Sequence, residues 1–143
     1  MPANGAIYIQ YDTMVDLAEL FEDVKSDKGL FRPPTFFDVR VGEDIIRFNV
    51  MDRNLVSAHI DRFLGYISSC IRDSETKEGV CHAIGHTRIV LGLITDKEFQ
   101  DNPAIWESLF RIADRYDGFV FTYDSLLLPN GAVLFGPLLD DIH

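Results

Sequence analysis

Four side chains able to act as metal ligands or nucleophiles fall in the middle of the chain: Cys70, Cys81, His82 and His86. Thiolate and imidazole are the donors zinc favours, and four of them can close a tetrahedral site. The spacing argues against that use. The interval from Cys70 to Cys81 is long, no CxxC knuckle is present, and Cys81 and His82 are neighbours whose side chains diverge along extended backbone. Cys81 with His86 is the best pairing of a thiol with an imidazole base, because a nearby imidazole lowers the thiol pKa and accepts its proton. No third orienting group or oxyanion donor accompanies it. His59, between Val56 and Phe63, reads as a half-buried structural histidine, since acid–base catalysis needs a second titratable group within hydrogen-bond reach. The adjacent carboxylates Glu22-Asp23, Glu43-Asp44 and Asp140-Asp141 point apart on any regular element. EF-hand, HExxH, GxSxG, GxxxxGK and GxGxxG patterns are all missing. An enzyme or zinc protein built on Cys70, Cys81, His82 and His86 is therefore an alternative, and no metal or cofactor is expected.

A different grouping carries more weight. Met14, Leu17, Ala18, Phe21 and Val24 recur at helical spacing, predicting a helix over 12–27 capped by Asp12 or Thr13. On that helix Asp12, Asp16, Glu19 and Asp23 follow spacings of four, three and four and line one side, opposite the apolar stripe. Like charges so placed do not help an isolated helix. Solvated, they keep a surface soluble; met by a cation, they become a docking face. Phe31, Phe36 and Phe37 surround the Pro33-Pro34 loop that follows, and a loop aromatic can anchor an interface or cap the end of a sheet.

Composition bounds the partners. The 143 residues carry 13 Lys+Arg against 23 Asp+Glu, a formal charge of −10. That sign disfavours nucleic acid and anionic membrane, which draw affinity from Lys and Arg, and favours a basic protein. With 47% apolar residues and 11 Phe the chain can build one core, and a chain of this size should bury about 70% of its extended surface. The longest apolar runs fall well short of the roughly 20 residues that span a bilayer. Two cysteines fit a reducing compartment, and the N-terminus shows no secretory or organellar address, so the chain reads as soluble and cytoplasmic.

The elements that must position these groups follow from periodicity. Residues 6–11 alternate as a strand ahead of the acidic helix, and the Pro33-Pro34 segment is a loop. Residues 36–41 and 44–51 form a hairpin about Gly42-Glu43, with Ile46, Phe48 and Val50 facing the core. Asn54 caps a second helix carrying Val56, Ile60, Phe63, Leu64, Ile67 and Ile71, and the polar stretch 72–79 reads as an exposed loop. The near-continuous apolar run 88–94 is a central strand. Asp101-Asn102-Pro103 opens a third helix with a wide apolar arc, ended by Gly118. Residues 118–123 form a strand, and 126–135, broken by Pro129-Asn130-Gly131, a hairpin; the tail from Leu138 to His143 is read as frayed.

The first six elements, βαββαβ, match the ferredoxin-like order. The expected fold is α+β, one domain over 1–143, with a mainly antiparallel sheet, helices on one face, an added helix and a C-terminal hairpin. The expected function is a non-enzymatic acidic interaction module, of the kind an immunity protein or inhibitor represents, that holds a basic partner through Asp12, Asp16, Glu19, Asp23, Phe31 and Phe36. A small-ligand-binding α+β domain is a further alternative, and self-association through a free sheet edge is plausible on the same elements.

Overall fold

The computed structural model describes residues 3–99 and 101–138. Its centre is an eight-stranded sheet in the order β2-β3-β4-β5-β1-β6-β7-β8, every pairing antiparallel. The strands are β1 (Ala3–Ile9), β2 (Val24–Ser26), β3 (Phe36–Val41), β4 (Asp44–Val50), β5 (Ile89–Thr95), β6 (Phe119–Thr122), β7 (Ser125–Leu127) and β8 (Val133–Phe135). Three helices join them: α1 (Arg53–Cys70), α2 (Ser74–Gly85) and α3 (Pro103–Tyr116).

Strand pleating sends alternate residues to opposite faces, and two cores follow from it. Ile7 and Ile9 of β1, Phe48 of β4 and Leu91 and Leu93 of β5 pack with Leu17 and with Ile105, Leu109 and Ile112 of α3. Tyr8 and Val90 face the other way, against Val56, Ile60, Phe63 and Ile67 of α1 and Val80 and Ile84 of α2. The expectation of helices on one face is thus corrected: α3 lies on one side and the α1–α2 pair on the other. β5 serves both cores, Leu91 and Leu93 on one side and Val90 on the other, which explains most of its apolar run, although Ile94 near its end is 75% exposed.

The largest correction concerns 12–27. No α-helix forms there; the segment runs extended, makes a 3₁₀ turn at Leu17–Glu19 and enters β2. Burial follows a period of two, with Val15 and Leu17 inside and Met14, the first residue of the supposed stripe, 75% exposed. The Asp16 backbone N–H, which a helix would need, instead donates to Tyr116 Oη at 2.9 Å, and the Asp16 carboxylate takes the Ala18 N–H at 3.1 Å. Tertiary contacts and carboxylate capping together outcompete a helix already weakened by like charges. Without that helix the ferredoxin-like βαββαβ order lacks its second element, and the sheet has more strands than such a core.

The polar stretch 72–79 is a second correction: from Ser74 it is α2. Asp73 accepts from the Thr76 N–H and hydroxyl at 2.8 and 2.6 Å, an N-cap that starts a helix whose opening turns face water. Its only buried residues, Val80 and Ile84, come late and four apart, too few to show a stripe.

Elsewhere the periodicity reads true. The β3–β4 hairpin turns at Gly42 with φ +65°, and Ile46 and Phe48 point inward while Ile45, Arg47 and Asn49 are exposed. The cap of α1 is Asp52, whose carboxylate accepts the Asn54 N–H at 2.9 Å, two residues before the expected Asn54. Asp117, at φ 51°, ends α3, and Gly118 follows because a Cβ there would sit 2.9 Å from the Tyr8 carbonyl oxygen. The β7–β8 hairpin closes at Gly131 with φ +91°. The tail beyond Leu138, expected to fray, and the Asp140-Asp141 pair lie outside the described residues.

Candidate functional site

Where β1 ends, the chain crosses the mouth of a groove of about 830 Å³. Residues 12–15 and the Pro33-Pro34 loop both line it. Phe37, Val50, Met51 and Ile89 lie along it, and Asp52 and Arg53 of the α1 N-terminus close one end. Its lining combines apolar side chains with a few polar and charged ones, the usual make-up of a binding site, and the volume lies within the range of roughly 300–1,000 Å³ that such sites occupy. At the rim Arg53 Nη2 donates to Asp12 Oδ1 at 2.6 Å. The hydrogen bond and charge of Arg53 hold the Asp12 carboxyl below its ordinary value and raise the guanidinium in turn.

The loop beside the groove is tied down. Asp27 accepts the Thr35 N–H at 2.6 Å, the Phe36 N–H at 3.2 Å and the Thr35 hydroxyl, while Arg32 donates to the Asp27 carbonyl at 2.7 Å. Those donors, the Thr35 hydroxyl first, push the Asp27 carboxyl down to about 2. On this braced loop Leu30 and Phe31 are 91% and 96% exposed.

The six expected partner-binding residues scatter. Asp12 and Phe31 belong to the groove mouth and its loop. Asp16 caps the 3₁₀ turn, Glu19 meets Arg115 at 3.5 Å, and Asp23 meets Arg40 at 2.9 Å. The single acidic helix face is therefore corrected: there is no helix to align the four carboxylates, and three of them carry arginine partners of the same chain. Phe36 is half-buried beneath Arg47, whose guanidinium carbon sits 3.9 Å from the ring centroid.

The cysteine and histidine residues do not converge on one centre. Cys70 is exposed; Cys81 is half-buried with its sulfur 3.7 Å from Ser68 Oγ. His82 of α2 and His86, which caps the C-terminus of that helix, have ring centroids 4.6 Å apart, and His86 Nδ1 contacts the His82 carbonyl at 2.8 Å. Among the described residues no group of three or more His, Cys, Asp or Glu could hold a metal ion. His59 is half-buried on the border of the α1 core, yet it does have a titratable neighbour: Tyr8 Oη lies 3.0 Å from its Nε2. Burial, and then Arg62, lowers the imidazole pKa, while burial raises the Tyr8 phenol.

Sequence reasoning missed Arg53, Arg32 and Met14, all of which line the groove. The Asp52-Arg53 step at a helix start was visible, but nothing local pairs Arg53 with a residue 41 positions earlier. No described helix is long and apolar enough to cross a membrane. Set against protein-family models, curated proteins and solved structures, the chain finds no match in any of the three.

Proposed function

We propose that this chain is a non-enzymatic acidic interaction module that binds a basic protein through the groove and the loop beside it. The supporting observation is the pair Leu30 and Phe31, almost fully exposed on a loop that Asp27 holds in one conformation. A large apolar pair on a braced loop contributes nothing to the core, and pre-organised aromatic anchors of this kind carry much of the energy of protein interfaces. The groove alongside offers the partner a place for an apolar side chain of its own. The partner's positive charge follows from the net −10 of the chain. With Asp12, Glu19 and Asp23 already paired, the overall field steers the encounter, and the anchors supply residence time. Occlusion of the partner's surface, as an immunity protein or inhibitor achieves, is the mode of action this reading carries.

The test pairs capture with anchor variants. A protein retained by the wild-type chain should bind Leu30→Ala/Phe31→Ala on the order of 30-fold more weakly, the loss expected of an interface hot spot. Asp27→Ala, which frees the loop and keeps both anchors, should weaken it less. A partner bound unchanged by the double variant overturns the reading.

The volume and apolar side chains of the groove favour a small-ligand domain as the second reading. It is distinguished by a small apolar compound that protects the Met14→Trp variant from quenching while partner binding is absent.

A further inference from the structure

The C-terminal end of α2 carries two imidazoles that binding at the groove does not use. His82 and His86 are four positions apart, both exposed, with their ring planes at 58° and their centroids 4.6 Å apart. Helical spacing puts residues four apart on the same side, one turn from each other. No second element is needed to bring the pair together.

The His86 ring is held in a defined protonation pattern. As the helix ends, the His86 backbone N–H donates to the Ala83 carbonyl at 3.2 Å, one residue short of the four-residue ladder. The His82 carbonyl is met by the His86 ring instead, with Nδ1 at 2.8 Å. A carbonyl only accepts, so Nδ1 carries the proton and the neutral ring keeps its lone pair on Nε2. Histidines that bind metals are oriented in the same way, one ring nitrogen donating to a carbonyl or carboxylate while the other takes the ion.

The separation of the rings suits one shared ion. With a metal–nitrogen bond of about 2.0–2.1 Å each ring centre lies about 3.2 Å from the ion, so two rings at right angles around it have centres about 4.5 Å apart, against about 5.2 Å for a tetrahedral pair. The observed 4.6 Å matches the right angle. That is the angle of Ni²⁺ and Cu²⁺ in tetragonal sites, whereas zinc settles into a tetrahedron. Electrostatics favour a cation as well: the end of a helix carries about half a negative charge, and the chain as a whole is at −10. Among the described residues no group of three or more His, Cys, Asp or Glu forms a metal site, so water must complete the shell. We infer that His82 and His86 form a two-point chelate for a divalent late transition-metal ion of right-angled geometry.

Ni²⁺ is the probe for this site, because the exposed Cys70 thiol would reduce Cu²⁺. Calorimetric titration of the intact, untagged protein should show one saturable site per chain, with Zn²⁺ binding severalfold more weakly. His82→Ala and His86→Ala should each weaken Ni²⁺ on the order of tenfold or more, since capture by the second ring is intramolecular only while both are present. Both side chains meet water, so the thermal midpoint of the metal-free protein should hold in each variant. Cys70→Ser, Cys81→Ser and His59→Gln should leave the titration as it is. The chelate is overturned if no saturable Ni²⁺ binding is found, if either α2 histidine can be removed without effect, or if a cysteine substitution abolishes binding. Zn²⁺ bound more tightly than Ni²⁺ would overturn the right-angled geometry.

Discussion

The two halves of the sheet are built differently. Around β1 and β6–β8 both faces are covered, and Tyr8, Val90, Leu126 and Phe135 are all under 7% exposed beneath α1 and α2. On β3 and β4 the same face carries Arg40, Ile45, Arg47 and Asn49 into solvent, and no residue of those strands joins that core. Arg47 there makes two hydrogen bonds to Asp38 across the ladder, at 2.8 and 2.9 Å, and stacks over Phe36. One half is thus buried on both faces, while the other is buried on one face, through Phe37, Val39, Ile46 and Phe48, and carries charges on the second. Cross-strand charge pairs can fix register without a covering layer, but they supply little of the energy that helices bring by removing apolar area from water.

A single strand offers the sharpest test. Phe48 and Ile45 both lie on β4, pointing to opposite faces, at 0% and 62% exposure. Phe48→Ala should cost about 3–5 kcal/mol in urea unfolding, since it removes a large side chain and leaves a cavity that close packing cannot fill. Ile45→Ala should stay within about 0.5 kcal/mol. The comparison breaks if Ile45→Ala costs several times more and its cost grows with protein concentration. The bare face would then be covered by a second copy of the chain.

How much of this was legible in the sequence depended on whether local pattern and tertiary fate agreed. On β4, polar and apolar residues alternate because one face is bare, so inward-facing Ile46 and Phe48 could be assigned by parity alone. The apolar arc of α3 was equally plain, because Ile105, Leu109, Ile112 and Tyr116 recur at helical spacing opposite an exposed polar side, and the β5 run was plain because Ile89, Val90 and Leu91 are buried in succession. The segment 12–27 misled because Leu17, Phe21 and Val24 fit a helical stripe as well as they fit an extended chain pressed on α3, and the deciding bonds come from Tyr116, 100 residues on. The groove was half visible: Asp12 and the Pro33-Pro34 loop were singled out, but Arg53 and Met14 join them only through the fold. The pocket lined by Phe99, Trp106 and Tyr123 was invisible, since a loop, a helix and a hairpin turn bring those rings together.

Inside the covered half, the Tyr8–His59 contact should matter less than Phe48 yet remain measurable. Tyr8→Phe removes one neutral hydrogen bond from a buried phenol and should cost about 1 kcal/mol. The pH dependence has a definite sign. Burial depresses the His59 pKa in the folded chain, so as pH falls through about 6.5 the unfolded chain takes up the proton first. The stability that the neutral ring contributes is complete above that pH and declines below it. The thermal midpoint should therefore fall between about pH 7 and pH 5 more steeply in the wild type than in His59→Gln. Parallel curves for the two proteins would place the ring in water and weaken the contrast between the halves.

The smallest effect is expected on the bare half. With Phe36 beneath it, the Asp38–Arg47 pair is the best-made ion pair on that surface, bidentate and reinforced by a ring contact. Both side chains still meet water, at 24% for Asp38 and 52% for Arg47, so solvent screens most of their attraction. A double-mutant cycle with Asp38→Asn and Arg47→Gln isolates the coupling, because each single change leaves the strand backbone and the Phe36 side chain in place. That coupling should be smaller than the loss from Tyr8→Phe, and it should shrink further as salt rises from about 0.1 to about 1 M. A coupling that exceeds the Tyr8–His59 loss and ignores salt would mean the pair is shielded from solvent. Charges on the strands would then order this half as firmly as helices order the other.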